Sequence, residues 1–189
     1  MFNELQPQKG SLLVSEPFML DQNFKRSVIL LADHNETDGT VGFILNQRTQ
    51  LMLSDVFQDV EREADFPIYL GGPVECEALF FIHKAYDLLL SGEHIIDDVY
   101  WGGDIELLLR LAKEEKITSD EVKFFIGYSG WSPSQLDREI KENSWAVDNK
   151  FNKNLTFITD GEDLWKQALI SMGQKYAHVA NFPQSPELN

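Results

Sequence analysis

The run "FFIGYSGWSPSQLDREI", residues 124–140, carries the residue types of a serine nucleophile site: a strand-like apolar stretch, two glycines and Ser129 between them. A nucleophile elbow reads G-x-S-x-G, because both glycines are needed to hold the serine in a strained turn between strand and helix. Here the letters are Gly127-Tyr128-Ser129-Gly130-Trp131, so the second glycine comes one residue early and a bulky Trp fills its place. Asp148 or Asp160, followed by His178, supplies the order serine, acid, histidine, but many sequences offer that order by chance. A second nucleophile, Cys76, stands upstream of His83 and raises a Cys–His pair, with no third group to orient the ring.

A helix start explains more of the same letters. With Ser132 as N-cap, Pro133 stands at N1, where its missing N–H costs nothing, and Gln135 stands at N3 to complete a capping box. That register puts Trp131 and Leu136 at the two positions of a hydrophobic staple and leaves Ser129 outside. Gly127 and Gly130 then let the chain turn sharply before the cap. The expectation is a strand, a turn and a helix, with no catalytic residue; a ligand-binding turn is the other use open to it.

Two further glycine turns could cradle an anion. "YLGGPVE" lacks the Lys-Ser/Thr of a phosphate loop and the spacing of a dinucleotide site, and "YWGGDIELL" places Asp104 at a helix mouth, where it repels phosphate. His34, His83, His94 and His178 are widely spaced and fit no metal motif. No cofactor and no metal are expected. His83, at the end of "ALFFIH", reads as a strand-edge histidine, and Trp101, Trp131, Trp145 and Trp165 read as core or rim aromatics.

The elements that must position these residues are legible from periodicity. "SLLVSEPFM", the pair within "SVILLADHNETDGTVGFILN", "FPIYLGGPV", "ALFFIHK", "VKFFIG" and "SWAV" read as strands, the pair being a hairpin. "LMLSDVFQDVE", "IELLLRLAKEEK" capped by Asp104, the run from Pro133, and "DGEDLWKQALISMG" read as helices. Residues 177–189, with two prolines, are expected to run extended.

Composition bounds the rest. The 189 residues, 43% hydrophobic and 25% charged, suit one globular domain spanning 1–189. The first residues do not read as a leader and no run is long enough to span a bilayer, so no membrane association and a cytoplasmic location are expected. One cysteine agrees with a reducing compartment. With 31 acids against 16 Lys and Arg the net charge is −15, which opposes direct nucleic-acid binding. Between Ala85 and Leu109 there are six acids and no Lys or Arg, a solvated face or a docking surface for a basic partner.

"GTVGFILN", "YLGGPVE" with the later His83, and "GYSGWSPSQLDREI" followed by Trp145 resemble, in order and over nearly the whole chain, the AlgH/YqgE family of small bacterial proteins. The resemblance implies an α+β domain whose mostly antiparallel strands curl into a barrel-like sheet with flanking helices. It also implies the label of transcriptional regulator, without an established activity. Family-typical positions here are Asn46, Gly71, Gly72, Pro73, His83, Gly127, Tyr128, Gly130, Trp131, Gln135, Leu136 and Glu139. Ser129 stands where the family often has alanine, and Ser134 and Asp137 replace a more usual glycine and glutamate. The expected function is therefore a non-catalytic regulatory or binding domain that meets a protein partner or a small ligand, with its contact face around Gly71–Val74 and Tyr128–Gln135. A hydrolase using Ser129 or Cys76, and a direct DNA-binding regulator, are the alternatives.

Overall fold

A computed structural model describes residues 5–57, 65–150, 156–157 and 160–183. Its strands are β1 (Leu12–Ser15), β2 (Val28–Asn35), β3 (Gly39–Ile44), β4 (Arg48–Met52), β5 (Pro67–Leu70), β6 (Val74–His83), β7 (Glu93–Ile96), β8 (Val99–Trp101), β9 (Val122–Trp131) and β10 (Trp145–Asp148). They form one ten-stranded sheet whose main path runs β10-β1-β2-β3-β9-β6-β8-β7, with β4 and β5 set off it. Every pairing is antiparallel except β5 with β9.

The hairpin between β2 and β3 is made by its turn chemistry. Asn35 Oδ1 accepts the Thr37 N–H at 2.8 Å, and Gly39 takes φ +104, which only glycine holds cheaply. The strands that follow bury Leu30, Phe43 and Phe125 in a core that also takes Ile95 and Val99 from the far end of the sheet. The sheet therefore curls until β7 comes against β2, but among the described residues it does not close by hydrogen bonds. This is the α+β, curled, mainly antiparallel single domain that the resemblance implied.

Helices flank the sheet: α1 (Leu53–Val56), α2 (Tyr86–Leu89), α3 (Ile105–Lys113), α4 (Gln135–Lys141), α5 (Gly161–Ser171) and α6 (Gln174–Ala177). Helix α3 is capped as its letters demand, Asp104 Oδ1 accepting the Leu107 N–H at 2.9 Å. Helix α5 buries Leu164, Trp165, Ala168 and Leu169 against the same core as β1 and β2.

Four sequence expectations are corrected. "GYSGW" is not a turn: β9 continues through it to Trp131, because β3 pairs with this half of the strand from Thr40 to Gly42. Ser132 is not the N-cap, since α4 begins at Gln135 with Ser134 as its cap at φ +63. Half of the expected box does form, the Gln135 side chain accepting the Ser132 N–H at 3.0 Å. Strands β4, β7 and β8 went unread, being five, four and three residues long, and β4 takes Leu51 and Met52 from the expected helix. Finally, residues 177–181 are not extended: α6 is followed by a 3-10 turn, Val179–Asn181, that buries Ala180. The remainder of that segment from 184, and the end of the predicted helix at 58–61, lie outside the described residues.

Candidate functional site

The glycine motifs meet at a chain crossing. Strand β5 lies on one edge of β9 and β6 on the other, so Gly71-Gly72-Pro73 must carry the chain over β9 at Gly127 and Tyr128. The two backbones touch. A Cβ at Gly71 would sit 2.3 Å from the Gly127 carbonyl, one at Gly72 2.3 Å from the Tyr128 carbonyl, and one at Gly127 2.5 Å from the Gly72 carbonyl. Gly71 and Gly72 are buried and Pro73 is exposed. "YLGGPV" and "GYSG" are thus two halves of one steric device, and neither is an anion loop.

Ser129 closes the crossing. It is 0% exposed, and its hydroxyl donates to the Gly71 carbonyl at 3.0 Å. A serine that spends its proton on a backbone carbonyl inside the sheet is not placed to attack a substrate. Cys76 is exposed at the start of β6 and His83 lies at its far end, so the strand holds the suggested pair apart.

Trp131, Gln135 and Glu139 form a second built unit. Glu139 Oε2 accepts both indole N–H groups, Trp131 at 2.9 Å and Trp145 at 2.8 Å, while its Oε1 accepts the Gln135 amide at 2.9 Å. The indoles pack edge to face at 6.0 Å, and Leu136 joins Trp131 in the same buried cluster, although with Ser134 as the cap the two no longer hold the staple positions. This carboxylate ties α4 to β9 and β10. Asn46 is likewise consumed: its Oδ1 accepts the Val28 N–H, and its amide donates to the carbonyls of Arg26 and Gly161.

Two buried titratable groups stand out. His83 is 0% exposed, stacked on Tyr100 at 5.7 Å, and neither ring nitrogen makes a well-aligned hydrogen bond among the described residues. Burial holds its pKa below the usual imidazole value, with the nearby backbone of Gly102 and Ser91 opposing in part. Lys123 was missed by the sequence reading. Its side chain is buried, the ammonium donating to the carbonyls of Leu45 at 2.8 Å and Thr156 at 2.9 Å and standing 4.2 Å from the Tyr69 ring centroid. Desolvation lowers its pKa to about 8, against the pull of Asp160. Tyr69 donates to Asp160 at 3.1 Å, and its phenol is pushed well above the usual range, first by burial and then by that carboxylate.

One open concavity adjoins the crossing. A groove of about 370 Å³ is lined by Phe57, Leu79, Phe80, Phe81, Trp101, Gly102, Gly103 and Ile105. Tyr128 packs edge-on against Phe80 at 5.6 Å, so the crossing buttresses one wall. Trp101 contributes a buried indole N–H with no acceptor among the described residues. The lining holds no nucleophile, acid or base; it can grip an apolar group. Of the expected contact residues, Tyr128 backs this lining through Phe80 and His83 backs it through Phe81 at 5.9 Å, while Asn46, Trp131, Gln135 and Glu139 serve networks elsewhere. The signal that could have found the groove is the aromatic density of "ALFFIH" beside "YWGG".

The sequence profile of the family described as AlgH-like matches residues 12–177. A UPF0301 protein of Parabacteroides distasonis is 41% identical over 188 residues, covering 99% of this chain and 94% of the relative. A UPF0301 protein of Chlorobaculum tepidum is 36% identical over 190 residues and covers 100% of both. Two solved structures share the fold. A crystal structure from Corynebacterium diphtheriae superposes with a TM-score of 0.76 at 22% identity over 95% of each chain. The solution structure of the AlgH protein from Pseudomonas aeruginosa gives 0.72 at 22% identity, over 96% of this chain and 98% of that one.

Proposed function

The chain belongs to the AlgH-like family, and from that premise we propose that it is a non-catalytic binding domain, cytoplasmic and regulatory in role, whose contact surface is the groove along β6. The observation that carries the proposal is the allocation of its chemistry. The motif residues are spent on a backbone crossing and an indole-carboxylate clamp, while the groove presents unspent apolar surface. Apolar concavities with a few placed polar groups are where small ligands and side chains of partners bind. Against the hydrolase alternative stand the burial of Ser129 and the separation of the exposed Cys76 from His83 along β6. Direct DNA reading has only the family's label behind it and a net charge of −15 against it.

Nile red, a neutral apolar fluorophore, tests the surface. Its emission should rise and shift to the blue with the wild type, and Ile105→Arg, at the first turn of α3, should abolish the change while circular dichroism stays native. An equal response from the variant would place the apolar site elsewhere and remove the basis of the proposal.

A further inference from the structure

Where β8 leaves β6, a strand-shaped space opens. The β6 and β8 ladder pairs His83 with Tyr100 and Ile82 with Trp101, and its last bond runs from the Gly102 N–H to the Phe81 carbonyl at 2.9 Å. Gly102 and Gly103, at φ +67 and +121, then swing the chain away into α3. The next residues of β6 that β8 would have paired are Phe80 and Leu79, which line the groove.

The backbone of Leu79 faces that space. On the far side of β9, the Ile126 carbonyl accepts the Gly71 N–H at 2.9 Å, so Ile126 turns its hydrogen-bonding groups away from β6. Its partner Leu79 is therefore in a non-bonded pair, and the Leu79 N–H and C=O point outward, in phase with Phe81. No described strand occupies that side of β6 before Phe81. An edge unpaired among the described residues, beside a side-chain pocket, is the arrangement used for strand addition.

Charge selects the occupant. Glu75 and Glu77 are exposed on β6 just before the groove, Asp104 and Glu106 are exposed beside Ile105, and no Lys or Arg lines it. A second copy of this chain would bring like charges edge to edge, which is destabilising across paired strands. Resting on the reading of the groove as the contact surface, we propose that the β6 edge at Leu79 captures an extended, basic segment of a partner protein as an added strand, with one apolar side chain seated in the groove.

The test uses the full chain and a synthetic probe, the capped peptide Lys-Val-Lys-Val-Phe-Val-Lys-Val-Lys, with three comparators: its Glu-for-Lys counterpart, a version N-methylated at alternate residues, and Nile red. Trp fluorescence gives affinity, and amide exchange by NMR reads Leu79. Binding of the basic peptide, protection of the Leu79 amide, no binding of the acidic peptide, and a loss of roughly tenfold or more on N-methylation would bear out the proposal, since an unmade backbone bond costs about that much. Equal affinity for the N-methylated peptide, or no protection at Leu79, would overturn strand addition while leaving the groove as a site for apolar groups. Displacement of neither Nile red nor solvent by any peptide would also overturn it. Loss of Nile red binding in the wild type would defeat the underlying reading instead. Sedimentation showing a dimer that Leu79→Pro disperses would overturn it in favour of a second copy.

Discussion

The carbonyl oxygen of Gly72 lies beneath the α-carbon of Gly127, so close that a Cβ there would stand 2.5 Å from it. Two segments 55 residues apart in sequence thereby share one van der Waals surface made of backbone. Backbone cannot retreat as a flexible side chain can, so alanine at Gly72, whose own Cβ would meet Tyr128 at 2.3 Å, must shift a whole strand. Gly72→Ala should cost about 3 kcal/mol or more in denaturant titration. Gly102→Ala, with nothing near its Cβ and only φ +67 to strain it, should cost about 1 kcal/mol. Equal costs would mean that the crossing is looser than described.

Ser134 holds a left-handed conformation, φ +63 and ψ −1, at the cap of α4, and its side chain makes no capping bond. An L-residue pays for that conformation and glycine does not, although glycine loses more chain entropy on folding. The balance favours Ser134→Gly by up to about 1 kcal/mol, measured as a higher unfolding midpoint at an unchanged denaturant slope. A lower midpoint would contradict the assigned backbone.

Lys123 makes stability depend on alkaline pH. Its ordinary pKa is 10.5 and burial holds it at about 8 in the folded protein, so between those values the unfolded chain binds the proton and the folded chain does not. Stability then rises with pH, by about 2 kcal/mol from pH 8 to 10. Tyr69, raised in the folded state, works in the opposite sense once the unfolded phenol begins to ionise near pH 10. Lys123→Met, which keeps most of the stem and removes the charge, should flatten the slope between pH 8 and 10. A slope unchanged in the variant would show that Lys123 keeps an ordinary pKa.

Local chemistry was readable from the letters and contact between distant segments was not. Asp104 announces α3 because a cap and its N–H partner lie within one turn, and the bond from the Ser132 N–H to the Gln135 side chain is legible for the same reason. "YLGGPV" and "GYSG" each look like a turn alone; only the flanking of β9 by β5 and β6 makes them one crossing. Lys123 in "VKFFIG" reads as an ordinary solvent-facing interruption of a strand, because the carbonyls that receive it come from Leu45 and Thr156. The resemblance supplied the family positions without their reasons, and most of those reasons are structural.

The central claim is that contacts are made along β6 and the start of α3, away from the serine-bearing end of β9. A photoreactive benzoylphenylalanine placed at Glu106, exposed on the groove's rim, or at Glu36, exposed beside the Ser132–Ser134 loop, compares the two faces directly in living cells. Irradiation should give a discrete cross-linked adduct from position 106 and none from position 36. An adduct from position 36 alone would contradict the account and return the contact surface to the loop after Trp131.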